Sequence, residues 1–296
     1  MNFNEKLRTL RKQFKFSQEQ LAEKIGVSRQ AITKWETDGG LPDIENLMAI
    51  AALFSVSMDE LLSQEKLVRA AAEHAYESVT EYDVSRPSHF DVCAPGAREI
   101  SVTVAEDEKL RVRLTSNVLR TLAQDYKVRL DEHRNHLDVD IRRVGESSEA
   151  AGKEALFIHI SLPARYCEGL ELAAAVDVLR LSGTAFPFEL DGKAAKVFLQ
   201  GVKGAVALNC NADMEIHADA LPPALEVNQI NAASVLRIPQ DAKYFTKVKG
   251  KSNRIRYAAA GLPSAAPDDA GAESRVELAG MNAELLIDMG HAKNNP

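Results

Sequence analysis

The feature that most limits how this chain can fold is a change of hydrophobic period partway along it. Near the start, apolar residues recur at helical spacing, and Phe3, Leu7, Leu10 and Phe14 form one stripe in "FNEKLRTLRKQF". From Phe90 the period drops to two. "REISVTVAEDEKLRVRL" and "YKVRLDEHRNHLDVDIRR" alternate apolar and polar residues on both sides of a polar turn. A helix buries a stripe and a strand buries a face, so the two stretches call for separate cores. A length of 296 residues is enough for both.

The first stretch predicts five short helices over residues 1–63. Ser17 precedes "QEQLAEKI" as an N-cap, and Gln20 three residues on completes a capping box. Gly26 allows a sharp reversal, and Ser28 caps "RQAITKWE". "DGGLP" reads as a loop, Asp43 opens "IENLMAIAALF", and Ser57 caps a last turn, "MDELL". Residues 64–89 predict a linker, helical where it is rich in Ala and Glu and polar around Pro87.

Short apolar runs then recur every ten or so residues over 90–290, interrupted by the loop-like "GLPSAAPDDAGAE" and followed by a tail, 291–296. Successive rungs of a β-solenoid fit this recurrence, and a β-sandwich is the alternative. The predicted fold class is therefore α + β multidomain, with an N-terminal five-helix bundle and a C-terminal all-β repeat domain.

The net charge of −7 weighs against a nucleic-acid partner until its distribution is considered. Residues 1–36 hold eight Lys/Arg against four acids, whereas residues 37–66 hold one base against six acids. One side of the small domain can thus face phosphates. In a helix starting after Ser28, residues Arg29, Gln30, Thr33 and Lys34 share a face, and Ile32 and Trp35 point the other way. Arg can bind guanine and Gln adenine in the major groove, while Gln18 at the start of the preceding helix is placed to meet a phosphate. Any amphipathic surface helix shows a polar face. The five-helix register, the turn glycine and the charge split are what favour DNA.

"SQEQLAEKIGVSRQAITKWE", followed by "LPDIENLMAIAALFSVSMDELL", resembles the helix-turn-helix of the phage-repressor and Cro type, the xenobiotic-response-element family. The likeness covers residues 3–62 without a gap. It implies that Arg29, Gln30, Thr33 and Lys34, with Ser28 at the cap, lie on the recognition helix, and that Gln18 contacts phosphate. Leu21, Ala22, Ile25, Val27, Ile32 and Trp35 would form its core. Such modules bind half-sites in pairs, so the expectation is a homodimer on a palindromic double-stranded DNA operator, acting as a cytoplasmic bacterial repressor.

Residues 90–288 resemble a bacterial β-strand repeat domain that goes under adhesin names, through "FDVCAPGAREISVTV", "IHISLPARYCEGLELAAAVDVLRLSG" and "SVLRIPQDAKYFTKVKGKSNRIRY". The resemblance implies a shape and little chemistry. No GxSxG, HExxH or phosphate-cradling loop occurs, so neither an enzyme nor a cofactor is expected. His133 and His136 with Asp131 and Glu132 in "DEHRNH" read as a polar hairpin tip rather than a metal site. His159 and "HAD" at 217–219 read as strand residues, and Cys93, Cys167 and Cys210 as buried small side chains. No segment is apolar enough to span a bilayer. The β domain is expected to hold the dimer together, to sense an unknown effector, or both. The competing expectation is a DNA-tethered scaffold that recruits a protein.

Overall fold

The computed structural model describes residues 3–14, 16–37, 42–54, 74–145, 148–258 and 274–290. The chain divides into two compact units, Met1–Glu73 and His74–Pro296.

Four helices are described in the first unit: α1 (Phe3–Gln13), α2 (Gln18–Ile25), α3 (Arg29–Glu36) and α4 (Ile44–Phe54). The fifth expected helix, "MDELL", lies outside the described residues. Ser17 and Gln20 form the expected capping box on α2. Gly26 ends that helix in the left-handed region at φ 73°, where only glycine rests without strain, and the Val27 N–H donates to the Ala22 carbonyl at 2.9 Å. Asp43 caps α4 by accepting from the Asn46 N–H at 2.9 Å. Phe3, Leu7, Leu10, Leu21, Ala22, Ile32, Trp35, Leu47, Ile50, Ala51 and Phe54 form the core, with Ile25 and Val27 half-buried against it.

The second unit begins earlier than the alternation suggests. The stretch predicted as linker contains β1 (Tyr76–Asp83) and the first residues of β2 (Ser88–Cys93). There follow β3 (Ala97–Ala105), β4 (Lys109–Ser116), β5 (Tyr126–His133), β6 (His136–Arg143) and β7 (Phe157–Pro163). Two long strands come next, β8 (Cys167–Ser182) and β9 (Phe188–Gln200), then β10 (Val206–Cys210), β11 (Glu215–Ala218), β12 (Ala224–Ile230) and β13 (Ala233–Ile238). The last are β14 (Tyr244–Val248), β15 (Arg254–Tyr257), β16 (Ser274–Met281) and β17 (Glu284–Met289).

These strands pair into two ladders of one open sheet. The first runs β5-β6-β2-β8-β9-β10-β12-β16-β14, and the second β1-β4-β7-β3-β8-β9-β11-β13-β17-β15. Strands β8 and β9 serve both ladders by bending in the middle. Gly192 marks the bend in β9 at φ 147°, where a Cβ would lie 1.9 Å from the Ala174 carbonyl oxygen. Among the described strands, antiparallel pairing is confined to β1–β4, β4–β7 and β5–β6. The rest is parallel, unlike the antiparallel pairing of an immunoglobulin-like sandwich. Phe90, Leu137, Leu170, Leu190, Leu208, Val227 and Leu278 of the first ladder belong to the same core as Ile100, Ile160, Leu179, Val197, Ile216, Leu236 and Ile287 of the second.

Both ends depart from sequence order. β16 and β17, last in the chain, lie between β12/β13 and β14/β15. Similarly, β2 and β3 lie between β6/β7 and β8.

Candidate nucleic-acid interface

α3 is amphipathic because its sequence alternates anchors and polar groups at helical spacing. Ile32, Trp35 and Glu36 are buried, while Arg29, Gln30, Thr33 and Lys34 are exposed. Ser28 sits at its N-cap, where its hydroxyl oxygen accepts from the Ala31 N–H at 3.2 Å. Ser28 thereby starts the helix that carries the exposed row.

The angle between α2 and α3 is held by a polar relay. Arg11 of α1 donates to both oxygens of Glu36, Nε to Oε1 at 2.5 Å and Nη2 to Oε2 at 2.9 Å. Its third donor meets the Phe16 carbonyl at 2.9 Å. Gln18 Nε2 donates to Glu36 Oε2 at 2.9 Å, and the single proton of the Thr33 hydroxyl is shared between the Arg29 carbonyl at 3.1 Å and Gln18 Oε1 at 3.2 Å. Burial alone pushes the Glu36 carboxyl up, but the hydrogen bonds from Arg11 and Gln18 and the Arg11 charge outweigh it, so its pKa lies below the ordinary carboxylate range. Two predicted site residues, Gln18 and Thr33, are thereby brought together. Of the two N–H donors of the Gln18 amide, Glu36 takes one.

The sequence reading missed the Arg11–Glu36 pair, since 25 residues separate the partners. It also counted Arg11 and Lys6 among the bases of a phosphate-facing half, but Lys6 is buried and Arg11 is spent on Glu36. Arg8, Lys12, Lys24, Arg29 and Lys34 are the exposed bases among the described residues of 1–36. Arg29 lies 3.8 Å from Glu19, but both side chains are largely exposed and the contact is weak.

In the β unit, His159 lies between Ser101 Oγ (2.6 Å from Nδ1) and Thr115 Oγ1 (3.4 Å from Nε2). Burial, with the Arg113 and His74 charges, pushes its pKa down to about 4. His217 stacks on Phe198 at 4.9 Å. The cysteines differ from expectation: only Cys210 is buried, Cys167 is half-buried and Cys93 is exposed. Burial pushes the Cys167 thiol up to about 12, which keeps it protonated and unreactive. Among the described residues, no helix is long and apolar enough to cross a membrane.

Residues 7–61 match the helix-turn-helix family model. The helix-turn-helix transcriptional activator BcrR of Enterococcus faecalis is 54% identical over 71 residues, covering 24% of this chain and 35% of that protein. The cryptic phage CTXphi transcriptional repressor RstR of Vibrio cholerae is 41% identical over 61 residues, covering 21% of this chain and 54% of that protein. The chain thus spans about a third to a half of the length of these curated relatives. Among solved structures, the P22 c2 repressor in complex with a synthetic operator is 35% identical, covering 22% of this chain and 98% of that one, with a TM-score of 0.22. For the β unit, a Bacteroides fragilis protein described as a candidate adhesin is 12% identical, covering 74% of this chain and 99% of that one, with a TM-score of 0.35. What the match over residues 7–61 does show is that this chain opens with a helix-turn-helix domain.

Proposed function

We propose that the chain is a sequence-specific DNA-binding transcriptional regulator. The observation that carries the reading is the division of α3: Ile32, Trp35 and Glu36 lock one side into the core, leaving Arg29, Gln30, Thr33 and Lys34 as a rigid exposed row. A fixed helix can hold side chains in register with base edges, and the helix-turn-helix match supplies the docking mode. Gln18, at the first turn of α2, faces a backbone phosphate in the same pose.

One such module makes few contacts, so two act together on a palindromic operator with half-sites about 34 Å apart. The stacked parallel ladders support reading the β unit as a solenoid that holds two copies together and takes an effector. The helix-turn-helix is shared by an activator and a repressor among the relatives, so the recognition helix does not set the sign. Repression by occupancy needs no further contact and is the reading kept here.

Selection from a random duplex library with the full chain at low ionic strength tests this. A palindromic consensus is expected, and Arg29→Ala should cost about 1–3 kcal/mol and relax one base preference. Equal weakening on every sequence for both Arg29→Ala and Lys34→Ala refutes base reading by α3.

A further inference from the structure

The outer side of the first ladder carries a row of carboxylates. Asp138, Asp91, Glu171 and Glu189 are register partners on the adjacent strands β6, β2, β8 and β9, about 4.8 Å from strand to strand. Like charges opposite one another destabilise a sheet. Among the described residues, no lysine or arginine forms an ion pair with any of the four; the basic groups that meet them are His136 and His89.

The geometry of the two imidazoles differs. His136 Nδ1 lies 2.9 Å from Asp91 Oδ2, a hydrogen bond. His89 Nε2 lies 3.5 Å from Glu171 Oε1 and, shielded from solvent, has no hydrogen-bond partner. That separation is long for a hydrogen bond, yet close to the roughly 3.4 Å between two ligands that share a tetrahedral Zn²⁺ at about 2.0–2.1 Å. One donor atom each from His89, Asp91 and Glu171 lies within 4.8 Å of the others. The fold also makes room for the ring: Gly169 is the register partner of His89, and a Cβ there would lie 2.3 Å from His89 Cε1.

We propose that His89, Asp91 and Glu171 bind a divalent transition-metal ion of the Zn²⁺ class, with His136 orienting Asp91 from behind. An imidazole joined to two carboxylates suits Zn²⁺ better than Ca²⁺ or Mg²⁺, which favour all-oxygen shells. Three protein ligands leave the fourth tetrahedral position to water. This site was not legible as "DEHRNH": His133 stays at the hairpin tip beside Asp131, whereas His136 reaches across to β2. The proposal does not depend on α3 reading DNA.

Zn²⁺ titration of the full chain by calorimetry, with Co²⁺ as a spectroscopic stand-in, tests the proposal without DNA. One ion per chain is expected. His89→Gln and Asp91→Asn should each weaken binding at least 100-fold, His136→Gln about 10–100-fold, and His133→Gln not at all. Gly169→Ala keeps every ligand but displaces the His89 ring, and should also abolish binding. Should a variant misfold, histidine resonances of the unaltered chain decide: Co²⁺ should broaden His89 and His136 before His133. Absence of stoichiometric Zn²⁺ binding, unchanged affinity in a folded His89→Gln chain, first broadening of His133, or equal competition by Ca²⁺ would each overturn the site.

Discussion

The two units solve the same problem, burying an apolar face, at very different ranges along the chain. Among the described residues of the helical unit, caps are satisfied within a few residues, as with Ser17 and Gln20 or Ser28 and Ala31. The Arg11–Glu36–Gln18 relay ties distant segments together by polar contacts. In the β unit even neighbouring strands are remote: β3 pairs with β7 and β8, and β12 with β16. Local closure gives a small rigid module that can present a helix. Stacked parallel pairing gives a large surface whose strength depends on segments that arrive late in the chain.

Removal of residues 274–296 is the strongest way to probe that contrast. β14 and β15 pair with β16 and β17 and, among the described strands, with no others. Val276, Leu278, Leu285 and Ile287 are fully buried, and their loss removes on the order of 8 kcal/mol of apolar burial. Hydrogen exchange should show residues 244–257 unprotected, β12 and β13 frayed, and β2 to β9 retained, as expected when each rung depends on its neighbours. Trp35, the only tryptophan in the chain, is buried in the helical core and reports on that unit alone. Its emission should not change. Collapse of the entire β unit would show that it folds as one block rather than rung by rung.

The contrast also explains what the sequence disclosed. Caps, the turn glycine and the stripe of α1 are short-range signals, so the helical unit and the exposed row Arg29, Gln30, Thr33 and Lys34 could be read directly. Alternation located most strands but said nothing of their partners. "YKVRLDEHRNHLDVDIRR" is a true hairpin, β5 with β6. "REISVTVAEDEKLRVRL" looks the same, yet β7 lies between its two strands. β1 went unseen because its residues alternate between half-buried and exposed, with Val79 49% exposed, so no apolar face stands out. Arg11 with Glu36, and His89 with Glu171, meet only through the fold.

Acid titration should separate the units by a moderate margin. His159 is held neutral, its pKa lowered to about 4 by burial first and then by Arg113 and His74, with Glu77 opposing. The unfolded chain takes up this proton near pH 6.5. Stability of the β unit should therefore fall as pH drops from about 6.5 to about 4, by about 2 kcal/mol after allowing for partial solvent screening. Glu36 has the opposite chemistry but the same sign. Its lowered pKa contributes stability that is complete above the ordinary carboxylate value and lost as pH falls through it, below about 4.3. Melts followed by Trp35 emission should be flat between pH 6.5 and 5, while the β signal near 215 nm already declines. His159→Gln should flatten the β curve, and an unchanged slope in that variant would remove His159 as the cause.

The smallest expected effect tests whether local closure has only local consequences. Gly26 adopts φ 73° and ψ 29°, and a Cβ built on it meets nothing within 4 Å. Gly26→Ala therefore adds conformational strain and no clash, about 1 kcal/mol. The Trp35-detected midpoint should drop by about 4–8 °C, as expected for a unit of this size, with the β signal unmoved. Gly26→Asn should lose less, because asparagine tolerates the left-handed region better than alanine. A loss of 3 kcal/mol or more for alanine would mean that the turn is packed against something. If the β unit lost stability in parallel, the helical module would not close on itself, and the independence assigned to it here would be wrong.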